Sequence, residues 1–253
     1  MRLAVIGAGI GGSMVARVAS EAGHDVTVLA DPQIAPASHA ALCIINPRWF
    51  KGESRSDAIH ALDTYSQLGA VTSNAARYER YDRVGESVRV GEFFAVDPAR
   101  VLVEPDSPWT WQEGRPRGFD AVVLCLGAAG PTPGERTWGV TTLVDSNERG
   151  MYCRLAAPRQ LLFSVNHNGR QARLGSSVAP TAELAFRRQE KILAKLPMPP
   201  GVGWTDLVGQ RLMPTDVPGA IRHLEAGLWS LDGFGRVGYS LAPARAKRLV
   251  ARL

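Results

Sequence analysis

Cysteine is scarce in this chain. The three present, Cys43, Cys125 and Cys153, are an odd number with neither CxxC nor zinc-like spacing. That excludes a disulfide scaffold and a structural zinc site, and it predicts a reducing, cytoplasmic setting. Long apolar runs are missing too. The two most apolar stretches, LAVIGAGIGG and AVVLCLGAAG, are too short and too rich in glycine to cross a bilayer, so no membrane association is expected. Met1-Arg2 leads straight into a strand-like run without the layout of a signal peptide. The five histidines, at 24, 39, 60, 167 and 223, are scattered and predict no metal site. What remains is an ordinary soluble composition, 45% apolar and 21% charged, in 253 residues that suffice for one large or two small domains.

The net charge is +5. Basic residues are densest late, in FRRQEKILAK and PARAKRLVARL, where helical spacing presents them on solvated faces. An acidic partner such as nucleic acid is the other reading of the same charge.

The first 31 residues are the most informative. RLAVI is a continuous apolar run of the kind a strand buried on both faces shows, and GAGIGG follows it at once. SMVARVASEAG then has helical spacing and stops at Gly23, and HDVTVLAD reads as a second buried strand. In that strand, turn, helix, strand context the glycines have separate tasks. Gly7 allows the tight turn, Gly9 lets the backbone approach a pyrophosphate, and Gly12 lets helix and strand pack closely. The helix N-terminus, at Ile10, Gly11 and Gly12, then turns unpaired N–H groups and a positive dipole end toward phosphates. A purely structural glycine turn is the alternative.

An acid is expected at the end of the second strand, to hold ribose hydroxyls. The position directly after VTVL is Ala30, and the carboxylate comes one residue later, at Asp31. Successive strand side chains point to opposite faces, so Asp31 either reaches the ribose from the strand end or serves as a turn residue before Pro32.

Arg211, in LVGQRLMPTD, raises a different question. Arginine is almost never buried unless paired, so this apolar setting calls for a partner. The partner is either internal, Asp206 or Asp216, or a ligand.

Taken in order, VIGAGIGG, ASHAALCIINP, FDAVVLCLGA, NERGMYCRL, ARLGSS, GQRLMPTDVPGAI and GFGRVGYSLAPA resemble the motifs of the FAD-dependent D-amino acid oxidase and glycine oxidase family. The resemblance spans nearly the whole chain. It departs at Ala30, at Leu212 and at Phe234, where relatives usually carry an acid, a proline and often a histidine. The chain is also shorter between residues 90 and 120, which predicts a more open pocket.

The implied fold is α/β, with a Rossmann-like FAD-binding domain of glutathione-reductase type and a reduced α+β substrate domain on a mostly antiparallel sheet. The ranges expected are 1–80, 115–145 and 216–253 for the FAD-binding domain, and 81–114 and 146–215 for the substrate domain. The implied cofactor is noncovalent FAD, since Cys43 matches no attachment site of the family. Besides Gly7, Gly9, Ile10, Gly11, Gly12 and Asp31, the resemblance assigns cofactor contacts to Ser38, His39, Ala40, Leu42 and Gly127. It assigns more to Gly233, Gly235, Arg236, Val237, Gly238 and Tyr239. It makes Arg211 the clamp of a substrate carboxylate and puts Arg236 near the same pocket.

The implied reaction is oxidation of the C–N bond of a small amine or amino acid with a carboxylate, glycine or an N-substituted glycine first, by an oxidase or a dehydrogenase. The same resemblance carries a second reading, a glycine-derived amine tethered to a nucleic-acid base. A flavin-binding maturation subunit without turnover is a third. Trp109 and Trp111 read either as a stacking platform at the pocket mouth or as packing of the shortened domain.

Overall fold

The computed structural model describes residues 1–34, 36–79, 87–110, 113–130, 132–146, 149–157, 160–168, 170–194 and 204–253. Trp111 lies outside them, and so do the side chains of Cys153 and His167.

The glycine turn grows out of a six-stranded sheet. Its centre is β1 (Arg2–Ile6), flanked in parallel by β2 (Asp25–Ala30) and β7 (Ala121–Leu124). The two-residue β6 (Ser107–Pro108) continues it beyond β2, and β14 (Leu228–Asp232) continues it beyond β7, both in parallel. The antiparallel β13 (Ala220–Glu225) closes that edge.

Strand β1 is buried on both faces, as its unbroken apolar run predicts. Leu3 and Val5 point into a core shared with α1 (Ile10–Glu21), α2 (Gly52–Gln67) and α5 (Gly238–Val250). Ala4 and Ile6 point the other way, against Leu29, Trp109, Val122 and Leu124. Trp109 packs into this second face, 5% exposed, and also lines the large cavity beside it.

The second sheet has eight strands. Five are β3 (Ile44–Ile45), β4 (Val71–Glu79), β5 (Ser87–Val96), β8 (Gly134–Asp145) and β9 (Arg149–Ala157). The others are β10 (Gln160–Asn168), β11 (Gln171–Ala179) and β12 (Thr205–Pro214). Their order across the sheet is β12-β8-β11-β10-β9-β4-β5-β3. Every pairing is antiparallel except β4 with β9. Helix α4 (Ala182–Leu193) covers β8 and β11, capped by Thr181 and anchored by the buried Gln189, whose Nε2 donates to Leu174 O at 2.8 Å. The short α3 (Pro98–Val101) lies against α1.

Sheet membership differs from the ranges expected from sequence. Strands β3, β4 and β8 sit in the second sheet although 44–45, 71–79 and 134–145 were expected with the first, and β6 pairs into the first. The cause is long-range pairing. Strand β8 is ladder-bonded to β11 over 138–145 and to β12 over 134–143, partners far away in the chain that local patterning does not reveal.

At Gly12 the turn and the helix meet in contact. A Cβ there would lie 1.7 Å from the carbonyl oxygen of Gly7, itself at φ +110°. Gly12→Ala is expected to lower unfolding free energy by at least about 1–3 kcal/mol, the range for overpacking. Gly23→Asn, at a helix end where an added Cβ would meet nothing within 4 Å, is expected to cost under about 1 kcal/mol. Urea denaturation of both variants checks the contrast.

Candidate active site

A cavity of about 1640 Å³ opens at the carboxyl ends of the parallel strands, where Ile6, Ala30, Cys125 and Asp232 form part of its wall. That is where open α/β sheets hold ligands. Its opposite wall comes from the second sheet, at Gly209, Gln210, Arg211 and Leu212 of β12. Gly7, Gly9, Ile10 and Gly11 line it at the glycine turn. Gly9 is the N-cap of α1, and the Ile10 N–H donates to Ser38 Oγ at 2.8 Å.

Residues 38–41 are held from several sides. Tyr239 donates its hydroxyl to Ser38 O at 3.2 Å, and Thr141 donates to Ala40 O at 2.7 Å. Arg173 Nη1 donates to His39 O at 2.7 Å and to Ala41 O at 3.1 Å. Arg211 Nη2 reaches Ala40 O at 3.3 Å. Against β12 the fit is tight, since a Cβ on Gly209 would sit 2.6 Å from Ala37 Cα. The same segment ends at Cys43, which is buried and holds φ at +55°. Burial pushes its thiol pKa up, so at neutral pH it is a protonated, weakly nucleophilic group.

Arg211 is 9% exposed and lies over Gly139, where a Cβ would be 2.8 Å from its Nη2. Neither internal acid is its partner. Asp206 accepts a hydrogen bond from Thr142, and Asp216 pairs with Arg222 at 2.6 Å. Among the described residues Arg211 makes no ion pair, and Ala40 O is its one hydrogen-bond acceptor. Burial first, and then the charge of Arg236, lower its pKa to about 10. It remains a cation at neutral pH.

Most of the expected cofactor residues share this cavity: Asp31, Ser38, Leu42, Gly127, Gly233, Gly235, Arg236, Gly238 and Tyr239 all line it. Gly12, His39, Ala40 and Val237 do not. Gly12 faces the turn, while His39 and Ala40 meet their neighbours through backbone carbonyls. The Asp31 carboxylate accepts from the Gln33 N–H at 2.9 Å, as a turn residue does, while still lining the cavity. Phe234, where relatives often carry histidine, packs into space left by glycines. A Cβ on Gly219 would come within 2.3 Å of its ring, and one on Gly11 within 3.0 Å.

No family model matches the chain, and no curated protein does. The fold is that of FAD-dependent oxidoreductases. Iminodiacetate oxidase from Chelativorans sp. BNC1 superposes with a TM-score of 0.70 at 15% identity, over 99% of this chain and 94% of its own. Glycine oxidase from Bacillus cereus gives 0.68 at 15% identity, over 99% and 94%. An FAD-dependent oxidoreductase from Pseudomonas aeruginosa gives 0.65 at 15% identity, over 100% and 90%.

Sequence reasoning passed over several lining residues, among them Arg48, Trp49, Lys51 and Trp138, and it passed over Arg173 beside the cavity. Trp49 is 59% exposed, on a 3-10 turn that Asn46 caps through the Arg48 N–H. The signal for Arg173 was present. In QARLG it stands between apolar residues as Arg211 does. Removing it orphans two carbonyls, and hydrogen bonds to charged groups are worth about 1.5–3 kcal/mol each. Arg173→Met is therefore expected to lower stability by about 3–6 kcal/mol and to speed amide exchange across residues 38–43. Urea denaturation and hydrogen-exchange mass spectrometry measure the two effects.

Proposed function

We propose that the protein binds FAD along the glycine turn and oxidises the C–N bond of a small amine that carries a carboxylate. Buried Arg211 carries this reading. It is a cation on the wall of a large cavity with no internal carboxylate to pair it among the described residues. In this reading the six-stranded sheet is an FAD-binding domain of glutathione-reductase type and the eight-stranded sheet is a reduced substrate domain.

The cradle fits a dinucleotide. Gly7 and Gly12 close the turn without side chains, Gly9 faces the cavity bare, and the first turn of α1 begins there. Asp31 would meet the ribose, and Gly233, Gly235 and Gly238 would let main chain approach the other end of the cofactor; all four line the cavity. Bound FAD supplies the two-electron acceptor for a C–H bond beside the amine, leaving an imine that water hydrolyses.

The chain's own contribution is placement. A guanidinium offers a planar two-pronged grip on a carboxylate, fixing the distance and angle of the reacting carbon. Ala40 O and the space above Gly139 hold that guanidinium in place, and its burial strengthens the grip. Glycine oxidase and iminodiacetate oxidase, whose fold this chain shares, support an amino-acid-like amine.

Purified protein is expected to be yellow and to release FAD on denaturation. Arg211→Ala is expected to keep the colour and slow flavin reduction by a carboxylate-bearing amine. The loss of a buried charge pair is about 2–5 kcal/mol, or roughly thirtyfold to several thousandfold. Arg211→Lys recovers little, because the two-pronged geometry is gone. A protein that cannot be loaded with FAD contradicts the cofactor, and an Arg211→Ala variant with unchanged reduction contradicts the clamp. The clamp is charged below a pKa of about 10, so carboxylate affinity is expected to be full at neutral pH and to fall as pH rises through that value. Stopped-flow reduction as a function of pH and substrate concentration reads both effects.

A further inference from the structure

Arg211 has a second guanidinium for company. Arg236 lines the same cavity, in the turn that follows β14, and that turn is tied to β12 by the Gly235 N–H donating to Leu212 O at 3.1 Å. The residue next to Arg211 in the chain thus accepts the hydrogen bond that stations Arg236. Among the described residues Arg236 has neither a hydrogen bond nor an ion pair, and it is exposed where it lines the cavity. After burial, the charge of Arg236 is the next largest influence lowering the pKa of Arg211.

Among the described residues, no carboxylate of the cavity wall forms an ion pair with Arg211 or Arg236. Its two carboxylates among the described residues are Asp31 and Asp232. Asp31 is engaged with the Gln33 N–H. Asp232 accepts from Thr132 Oγ1 at 2.7 Å and pairs with Arg222 at 3.4 Å. Lys51 adds further positive charge to the same wall. Two like charges facing one cavity repel each other, and a single carboxylate held by Arg211 offsets only one of them.

We propose that the substrate carries two anionic groups, a dicarboxylic amine, with one carboxylate on Arg211 and the second on Arg236 toward the cavity mouth. This deepens the amine-oxidation reading and rests on its placement of Arg211. It makes Arg236 the residue that determines specificity. Arg211 orients the reacting end, and Arg236 selects dianions over monoanions such as glycine. Arg236 is suited to that role because it is the more exposed of the two. A second carboxylate reaches it without the cost of full desolvation.

The test uses FAD-loaded protein and two ligands that cannot be oxidised at a C–N bond, succinate and acetate. Their dissociation constants are measured by isothermal titration at matched ionic strength, and KM values for iminodiacetate and glycine are measured beside them. Succinate is expected to bind at least about tenfold more tightly than acetate, a difference of roughly 1.4 kcal/mol. Arg236→Gln is expected to remove that preference while changing acetate binding less than about twofold, and Arg236→Lys to restore part of it. Arg211→Gln is expected to weaken both ligands.

Equal affinity for succinate and acetate overturns the proposal, as does an Arg236→Gln variant that loses both ligands alike. The two readings fail separately. If no amine reduces the flavin while the Arg236-dependent preference for succinate holds, the oxidation reading falls and the dianion site stands. If amines are oxidised with no such preference, the dianion site falls alone.

Discussion

A charged guanidinium inside a protein must be matched, and the site is organised around that requirement at Arg211. Its strand, β12, is paired to β8 along its whole length, which fixes where the side chain emerges. Gly139 of β8 leaves the space in which the guanidinium lies, and Ala40 O takes one of its five N–H donors. The cavity beside it is enclosed by both sheets. In the proposed function a ligand anion completes the arrangement, offsetting the cost of burying the charge.

The same elements hold the loop that borders both halves of the cavity. Thr141 of β8, Arg173 of β11 and Tyr239 of α5 each donate to a carbonyl between Ser38 and Ala41, while Ser38 accepts from the first helical N–H of α1. The second sheet and the glycine turn are therefore joined through a few hydrogen bonds to one loop. Arg211 and Arg236 are linked in the same way, since the strand that bears one accepts the hydrogen bond that stations the other.

Local features were the legible part of the sequence. The run from RLAVI through GAGIGG to HDVTVLAD became β1, the turn, α1 and β2 because each step is decided by neighbours in the chain: burial on both faces, missing side chains, helical spacing. Arg211 was legible because an unpaired cation in an apolar run is improbable without a partner. Its freedom from Asp206 and Asp216 was not, because those acids are engaged by Thr142 and Arg222, which strand pairing brings near. Sheet membership of β4 and β8 was hidden for the same reason. Trp109 was undecided in sequence; it packs against Ala4 and Ile6 on the far face of β1 and also lines the cavity. Arg173 carried the same signature as Arg211, and both donate to carbonyls of the 39–41 segment.

The central claim, that Arg211 is matched by a ligand's carboxylate and not by the protein, is tested most directly by a crystal structure of the FAD-loaded protein grown with succinate. The account predicts a carboxylate of the ligand in a two-pronged contact with the Arg211 guanidinium, with the Ala40 O bond retained. Succinate bound elsewhere in the cavity, or an acidic side chain of the protein occupying Arg211, would contradict it.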